Sequence, residues 1–394
     1  MKKLLLTRDT FFATVFVFLV IQILELIALN ADIFNPFVHS FNDFELTDLY
    51  FSKMNSKRTL DTNIIIVNAG NLPRKIIAEK LSVLNHYHPK VIGVDLLFRD
   101  KKDDYDDSLL ISALHENKNT VLPLSIDFTG KEENPIKETI NPTFGKLPEG
   151  FIDLCGDTVS TVREFYPFRK VNDRTFESFD TKIIELFDMN AFRILKARNR
   201  EKERINYCGN INNFIHIDLM DVFENNEQLS VIKDKIVLIG YFCIKEDGQF
   251  CSFEDIHFTP VNPKISGRTF PDMNGITIHA NIISMMLNKN YINVMPWWLS
   301  FLMAFILCYF NIAFLIHTFK YRTKWLHFFG KAMQLVTSIV LLLLVFFVFR
   351  IFRYRIESTL AITALILSVE VLDFYNGLVV WLNQRFHFKT VLLH

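Results

Sequence analysis

The chain has 394 residues, and its 43 Lys and Arg are balanced by 43 Asp and Glu, so no global charge directs it to nucleic acid. Half of the residues are hydrophobic and 40 are Phe. The apolar excess gathers into four stretches, 11–29, 297–319, 332–349 and 359–382. A helix crosses a bilayer with roughly 20 apolar residues, so these are predicted transmembrane helices and a freely soluble protein is excluded.

Lys2, Lys3 and Arg8 precede the first stretch, which suits a cleaved secretory signal or an uncleaved anchor. The run is long for a signal peptide and has no clear small-x-small cleavage site, so residues 1–30 are read as a signal anchor. Basic residues favour the cytoplasmic side. They place residues 31–296 outside, and Lys320, Arg322, Lys324 and Lys331 place the next turn inside. Residues 297–382 form a three-helix bundle, and Arg385 and Lys389 put residues 383–394 inside as a short tail. The expectation is a multi-pass protein of a bacterial inner membrane, with both termini cytoplasmic and the large domain periplasmic. Arg350, Arg353 and Arg355 break the pattern on the outer side. An ion pair of Arg350 and Arg353 with Glu25, near the outer end of the first span, would reconcile them; reversed orientation is the alternative.

Within residues 31–296, β-branched runs alternate with helical periodicity. Residues 63–68 read as a buried strand, and 73–86 as a helix with Ile76, Ile77, Leu81 and Leu84 at helical spacing and Pro73 in its first turn. Residues 91–96 give a second buried strand containing Asp95, 106–116 a helix with acids in its first turn, and 120–126 a third strand. Residues 127–160 read as loop. A strand near 162–171, a helix over 178–198, strands at 214–217 and 236–240, a loop over 243–263 and a helix over 276–288 follow. Strand and helix alternating in this way predict a parallel α/β domain.

Five segments carry a resemblance. Val91-Ile-Gly-Val-Asp-Leu-Leu-Phe98, Ile205-Asn-Tyr-Cys-Gly209, Lys235-Ile-Val-Leu-Ile-Gly240, Asp255-Ile-His-Phe-Thr-Pro260 and Gly275-Ile-Thr-Ile-His-Ala-Asn281 resemble, in order, the second CHASE family (cyclases/histidine kinases associated sensory extracellular). The resemblance covers roughly residues 35–290, and one span before the domain with three after matches the family's architecture. It implies an α/β extracytoplasmic sensory domain plus four transmembrane α-helices. Family members usually continue into a kinase, cyclase or other signalling module, whereas this sequence closes about a dozen residues past its last span, so the effector is expected on another chain. Asn68 stands where the family often has an acid, and its Trp-Pro-rich turn is reduced to Leu72-Pro73-Arg74.

The ligand-binding candidates are Arg74, Asp95, Asp255 and His279. Asp95 closes a strand, and α/β sheets bind ligands beyond the carboxyl ends of strands; it could equally cap the next helix or pair with Arg74. Asp255, His257 and His279 are potential donors, but three or four must converge to hold a metal, and a structural hydrogen bond is the alternative for His279. His86-Tyr-His88 reads as a solvated helix end. With no nucleophile elbow, phosphate loop or His-Glu-x-x-His motif, no enzyme activity, metal or cofactor is expected. Of the five cysteines, Cys243 and Cys251 are candidates for a disulfide, with buried thiols as the alternative.

Glu370 and Asp373 share one helix face inside the fourth span, and Gln22 and Glu25 share one in the first. Intramembrane acids are costly. Three roles compete for Glu25, Glu370 and Asp373: glue among the spans, a docking face for a partner's helices, or an ion path. Lys331 is expected to reach Asp373 by snorkelling. The resulting expectation is a sensory or regulatory subunit relaying an outer signal to a separate membrane effector, itself able to form a homo-oligomer. A structural scaffold of an envelope complex and an ion-path component are the rivals.

Overall fold

The computed structural model describes residues 8–30, 45–54, 60–70, 72–127, 136–138, 142–155, 160–218, 228–243, 255–262, 270–320 and 326–386. The chain divides into two compact units, Met1–Thr47 with Asn293–His394, and Asp48–Ile292. Helix α1 (Arg8–Asn30) belongs to the first.

The second unit is built on a largely parallel sheet. Ile64, Ile65, Ile66 and Val67 fully bury their branched side chains in β1 (Asp61–Asn68), as a strand covered on both faces requires. Helix α2 (Arg74–His86) leads to β2 (Val91–Val94), and α3 (Asp104–Glu116), capped by Asp103, leads to β3 (Thr120–Ile126). Strands β4 (Ile136–Glu138) and β5 (Glu149–Phe151) both pair with β3. Next come β6 (Glu164–Phe165), the hairpin of β7 (Phe168–Val171) and β8 (Arg174–Glu177), and helices α4 (Phe179–Phe187) and α5 (Met189–Arg198). The expected strand at 162–171 is therefore two short strands. The expected single helix over 178–198 breaks at Asp188, whose extended backbone and side chain cap α5 by accepting from Asn190 and Ala191 N–H.

After β9 (Glu203–Arg204), strands β10 (Phe214–Asp218) and β11 (Ile236–Gly240) enter the sheet in the order β10-β1-β11-β2-β3-β4. A hairpin of β12 (Ile256–His257) and β13 (Met273–Asn274) precedes helix α6 (Gly275–Leu287). Ile92 and Val94 join the core formed with α2 and α3 through Ile77, Leu81, Leu84, Leu110 and Leu114. Gly93 points the other way, as alternation in a strand demands, and α4 lies so close that a Cβ there would sit 2.6 Å from Ile183 Cδ1 and 2.8 Å from Phe179 Cζ. Helices α4 and α6 thus cover the face opposite α2 and α3.

In the first unit, β14 (Asn293–Val294) precedes α7 (Trp297–Lys320), followed by α8 (Leu326–Phe352), β15 (Tyr354–Arg355) and α9 (Thr359–Phe386). Helices α1, α7, α8 and α9 are each long and apolar enough to cross a membrane. Helix α9 runs past residue 382, the expected start of a tail. A polar knot joins three of the helices. Asn311 Nδ2 donates to Ser368 Oγ (2.5 Å), while Gln334 Nε2 donates to the carbonyls of Leu365 (2.9 Å) and Ile366 (3.0 Å).

Glu370 and Asp373 are not in this interior; both are exposed on the outer side of α9. Lys331 pairs with Glu370 at 3.1 Å rather than with Asp373, and these two side chains remain 61 % and 57 % exposed. Because Asn311 and Gln334 are level with residues 365–368 and Phe16 packs on Tyr375, the two acids lie toward the helix ends that carry Arg8 and Lys331. Glu25 accepts from Gln22 at 3.5 Å, and the expected pairing with Arg350 and Arg353 is not formed. Arg355 pairs instead with Glu45 (3.3 Å) and Glu357 (2.9 Å).

Candidate functional site

The carboxyl ends of β2 and β11 meet the first turns of α4 and α6. At this edge the α/β unit gathers a buried pair, Asp180 and His279, with the partly exposed Asp95 and Asp255. Helix α6 is buried from Gly275 through Met286, and a helix apolar on all sides belongs in a core. Its few polar side chains must therefore find protein partners, and each finds a different element. His279 Nδ1 donates to Asp180 of α4 at 2.9 Å, with the pair only 4 % and 3 % exposed. Asn281 Oδ1 accepts from the N–H of Cys208 (2.8 Å) and Gly209 (3.2 Å), and its Nδ2 donates to Gly209 O and Thr277 O. Ser284 Oγ donates to Asp61 of β1 at 2.5 Å.

Asp95, directly after β2, is half-buried beside His279, and its N–H donates to Ile239 O of β11. Asp255 faces the start of α6: Gly275 N–H donates to Asp255 O at 3.3 Å, and a Cβ on Gly275 would lie 2.6 Å from Asp255 Oδ1. A glycine at the first helical position thus admits a carboxylate where the helix dipole favours one. His257 Nε2 lies 3.3 Å from Asp255 Oδ1.

The electrostatics follow from this crowding. Burial works against a charged His279, but the charge and hydrogen bond of Asp180, with Asp95 and Asp255 adding, carry the imidazole up to about 9. Burial raises Asp95, His279 opposes it, and Asp255 and Asp180 add to it, so the carboxyl is pushed up to about 6. Asp272 is likewise raised to about 6 by burial, although Thr259 donates to it through both N–H (2.8 Å) and hydroxyl (2.6 Å). Near neutral pH the centre is an imidazolium among carboxylates, suited to proton or charge recognition.

Of the four ligand candidates read from the sequence, the structure brings Asp95, Asp255 and His279 together. Arg74 lies apart, on the α2/α3 side of the sheet. It pairs with Asp107 at 2.5 Å, its guanidinium beside the stacked rings of Phe98 and Phe144 at 5.6 Å from each, and not with Asp95. Arg74 lines a cleft of about 510 Å³ with Leu72, Ile77, Phe98, Arg99 and Lys102, at the carboxyl ends of β1 and β2 where α/β sheets place ligands. Asp100 and Asp106 share this lining, so its charge is mixed.

Asp180 was not legible as a member of the cluster: in sequence it is an acid in a helix's first turn, and 99 positions separate it from His279. Asn68 ties loops, its Oδ1 accepting from Gly70 and Phe242 N–H at 3.2 Å each. Cys243 is disulfide-bonded, while Cys251, its expected partner, lies outside the described residues. Among the described residues no group of three or more His, Cys, Asp or Glu is arranged to hold a metal ion.

No curated protein and no solved structure matches the chain. The model of the CHASE2 domain matches residues 45–313, well over half of the sequence. That domain is an extracellular, non-catalytic sensory domain associated with signalling proteins, and every segment that forms the cluster falls inside the match. The chain belongs to the CHASE2 family.

Proposed function

We propose that the chain is a membrane-anchored sensory and regulatory subunit. Its outer domain takes up an extracytoplasmic signal or partner, and its transmembrane helices relay the change to a separate effector such as a kinase, cyclase or envelope enzyme. The proposed orientation puts both termini in the cytoplasm of an inner membrane, following the basic residues at Lys2, Lys3, Arg8 and Lys331.

The observation that carries this reading is α6. It is tied through His279, Asn281 and Ser284 to α4, to the 205–209 segment and to β1, and residues 288–296 separate it from α7. A signal that binds the charged cluster unequally in two arrangements of α6 shifts the population between them. In the helical unit, the N–H groups of Asn293 and Met295 donate to Arg353 O and Arg355 O, both at 2.9 Å. The segment entering α7 is therefore stitched to the α8–α9 turn. The outward acids Glu370 and Asp373 mark the proposed docking side for the effector, since a partner's cation or donor lowers the cost of carboxylates on a transmembrane helix.

The test is a photo-crosslinker at Phe374 of the full chain in its native membrane. The expected result is capture of a signalling or envelope enzyme whose output changes when His279→Gln breaks the pair with Asp180. Unchanged output in that variant, or a chain that crosslinks solely to itself, would overturn the relay. A second reading, a small-molecule signal in the cleft beside Arg74, is favoured by the cleft's volume, which falls in the range of small-ligand sites. Filling it by Ile77→Trp is expected to abolish a response to such a ligand and leave a response seated at His279 intact.

A further inference from the structure

Asp95 differs from the other acids of the cluster. Asp180 is held by His279, and Asp255 faces His257 and the first turn of α6. Among the described residues no hydrogen bond reaches the Asp95 side chain; only its backbone N–H is engaged, by Ile239 O. The charged groups around it are His279 from α6, Asp180 from α4, Asp255 from just before β12 and His257 from β12 itself, while β11 presents the Ile239 carbonyl. Three carboxylates thus share one firmly held imidazolium. Carboxylates crowded at one site do not all ionise without cost, and the one without a donor is the natural proton acceptor.

We propose that the signal this cluster takes is the proton, bound from solvent at the Asp95 carboxyl, and that its uptake in mildly acidic surroundings regulates the sensory domain through α6. The inference rests on the sensory reading above and names its ligand. The step balances simply: Asp95 gains a proton, the cluster loses one negative charge, and His279 stays an imidazolium held by Asp180. Removing the Asp95 charge releases one of the attractions that draw His279, and with it α6, toward the end of β2. The neutral carboxyl also gains an O–H donor beside Asp255. In support, Asp95 is raised by burial and by its acidic neighbours to about 6, whereas His279 at about 9 keeps its charge across the same range.

The test uses the full chain in lipid nanodiscs, titrated between about pH 5 and 7. Infrared difference spectra follow the carbonyl stretch of a protonated carboxyl, and hydrogen exchange, corrected for intrinsic rates, follows residues 275–287. Both are expected to change with a midpoint near 6. In an Asp272→Asn background, which removes the other carboxyl raised to about 6, Asp95→Asn should abolish the infrared band and flatten the exchange profile. Asp255→Asn, which removes a like charge without touching the acceptor, should lower the midpoint by about one unit, a tenfold loss in proton affinity. Asp104→Asn, on the exposed start of α3, should leave both unchanged. A band that survives Asp95→Asn in that background, a midpoint indifferent to Asp255→Asn, or a wild type with no midpoint in this range overturns the proposal. The two readings separate cleanly. If α6 responds to pH while effector output does not, the relay falls and the proton site stands. If output depends on His279 while α6 ignores pH, the proton site falls and the relay stands.

Discussion

At the scale of single residues, two glycines and one histidine decide how the α/β unit packs. Gly93 lets α4 close on the sheet, and Gly275 makes room for the Asp255 carboxylate. Neither site has space for a methyl group without displacing a neighbour, so Gly93→Ala and Gly275→Ala are each expected to cost about 1–3 kcal/mol, read as a lower thermal midpoint of the full chain. His279→Ala should cost more, about 3–5 kcal/mol, because it leaves Asp180 buried without its partner. The sequence marked Asp95 as an acid at the carboxyl end of a strand, and Asp255 and His279 as potential ligand donors. It could not single out Asp180, since an acid in a helix's first turn has a sufficient local explanation in the helix dipole.

At the scale of elements, legibility followed whether a rule was local. Strands β1, β3 and β11 and helices α2 and α6 announced themselves by burial runs and periodicity, because each fills one environment from end to end. The break between α4 and α5 escaped periodicity, since both helices carry apolar faces and the interruption is one residue, Asp188. Its replacement, Asp188→Ala, removes the cap of α5 and should cost about 1 kcal/mol, visible as faster amide exchange at residues 189–192. In the helical unit the glue is Asn311, Gln334 and Ser368, modest polar residues that hydropathy passes over in favour of the acids. Ser368→Ala should weaken the α7–α8–α9 association by roughly 1–2 kcal/mol, measured by unfolding in mixed micelles. Asp373→Asn should leave that unfolding unchanged, since Asp373 faces outward.

At the scale of the whole molecule, the buried ion pair sets a pH dependence whose sign is fixed. His279 rises from its ordinary 6.5 to about 9 on folding, so the folded chain holds this proton more tightly than the unfolded one. Its contribution is complete below about 6.5 and is lost as pH rises through about 9. Asp95 acts in the same direction at lower pH: with its folded value raised from 3.8 to about 6, stability declines as pH climbs across that window. The thermal midpoint of the full chain is therefore expected to fall between neutral and alkaline pH, and His279→Gln should flatten that limb. A midpoint that rises on alkalinisation would contradict the assignment.

The sequence by itself determined what depends on composition and short-range order: four helices apolar enough to span a bilayer, an α/β domain between the first and second, and the family to which that domain belongs. Only the tertiary structure decided which polar groups share a site. It separated Arg74 from Asp95 by placing them on opposite sides of one sheet, and it joined Asp180, Asp255 and His279 across long stretches of chain. The physical reason is that strand alternation and helix burial are written residue by residue. A charge cluster exists only where the fold brings together groups the sequence keeps far apart.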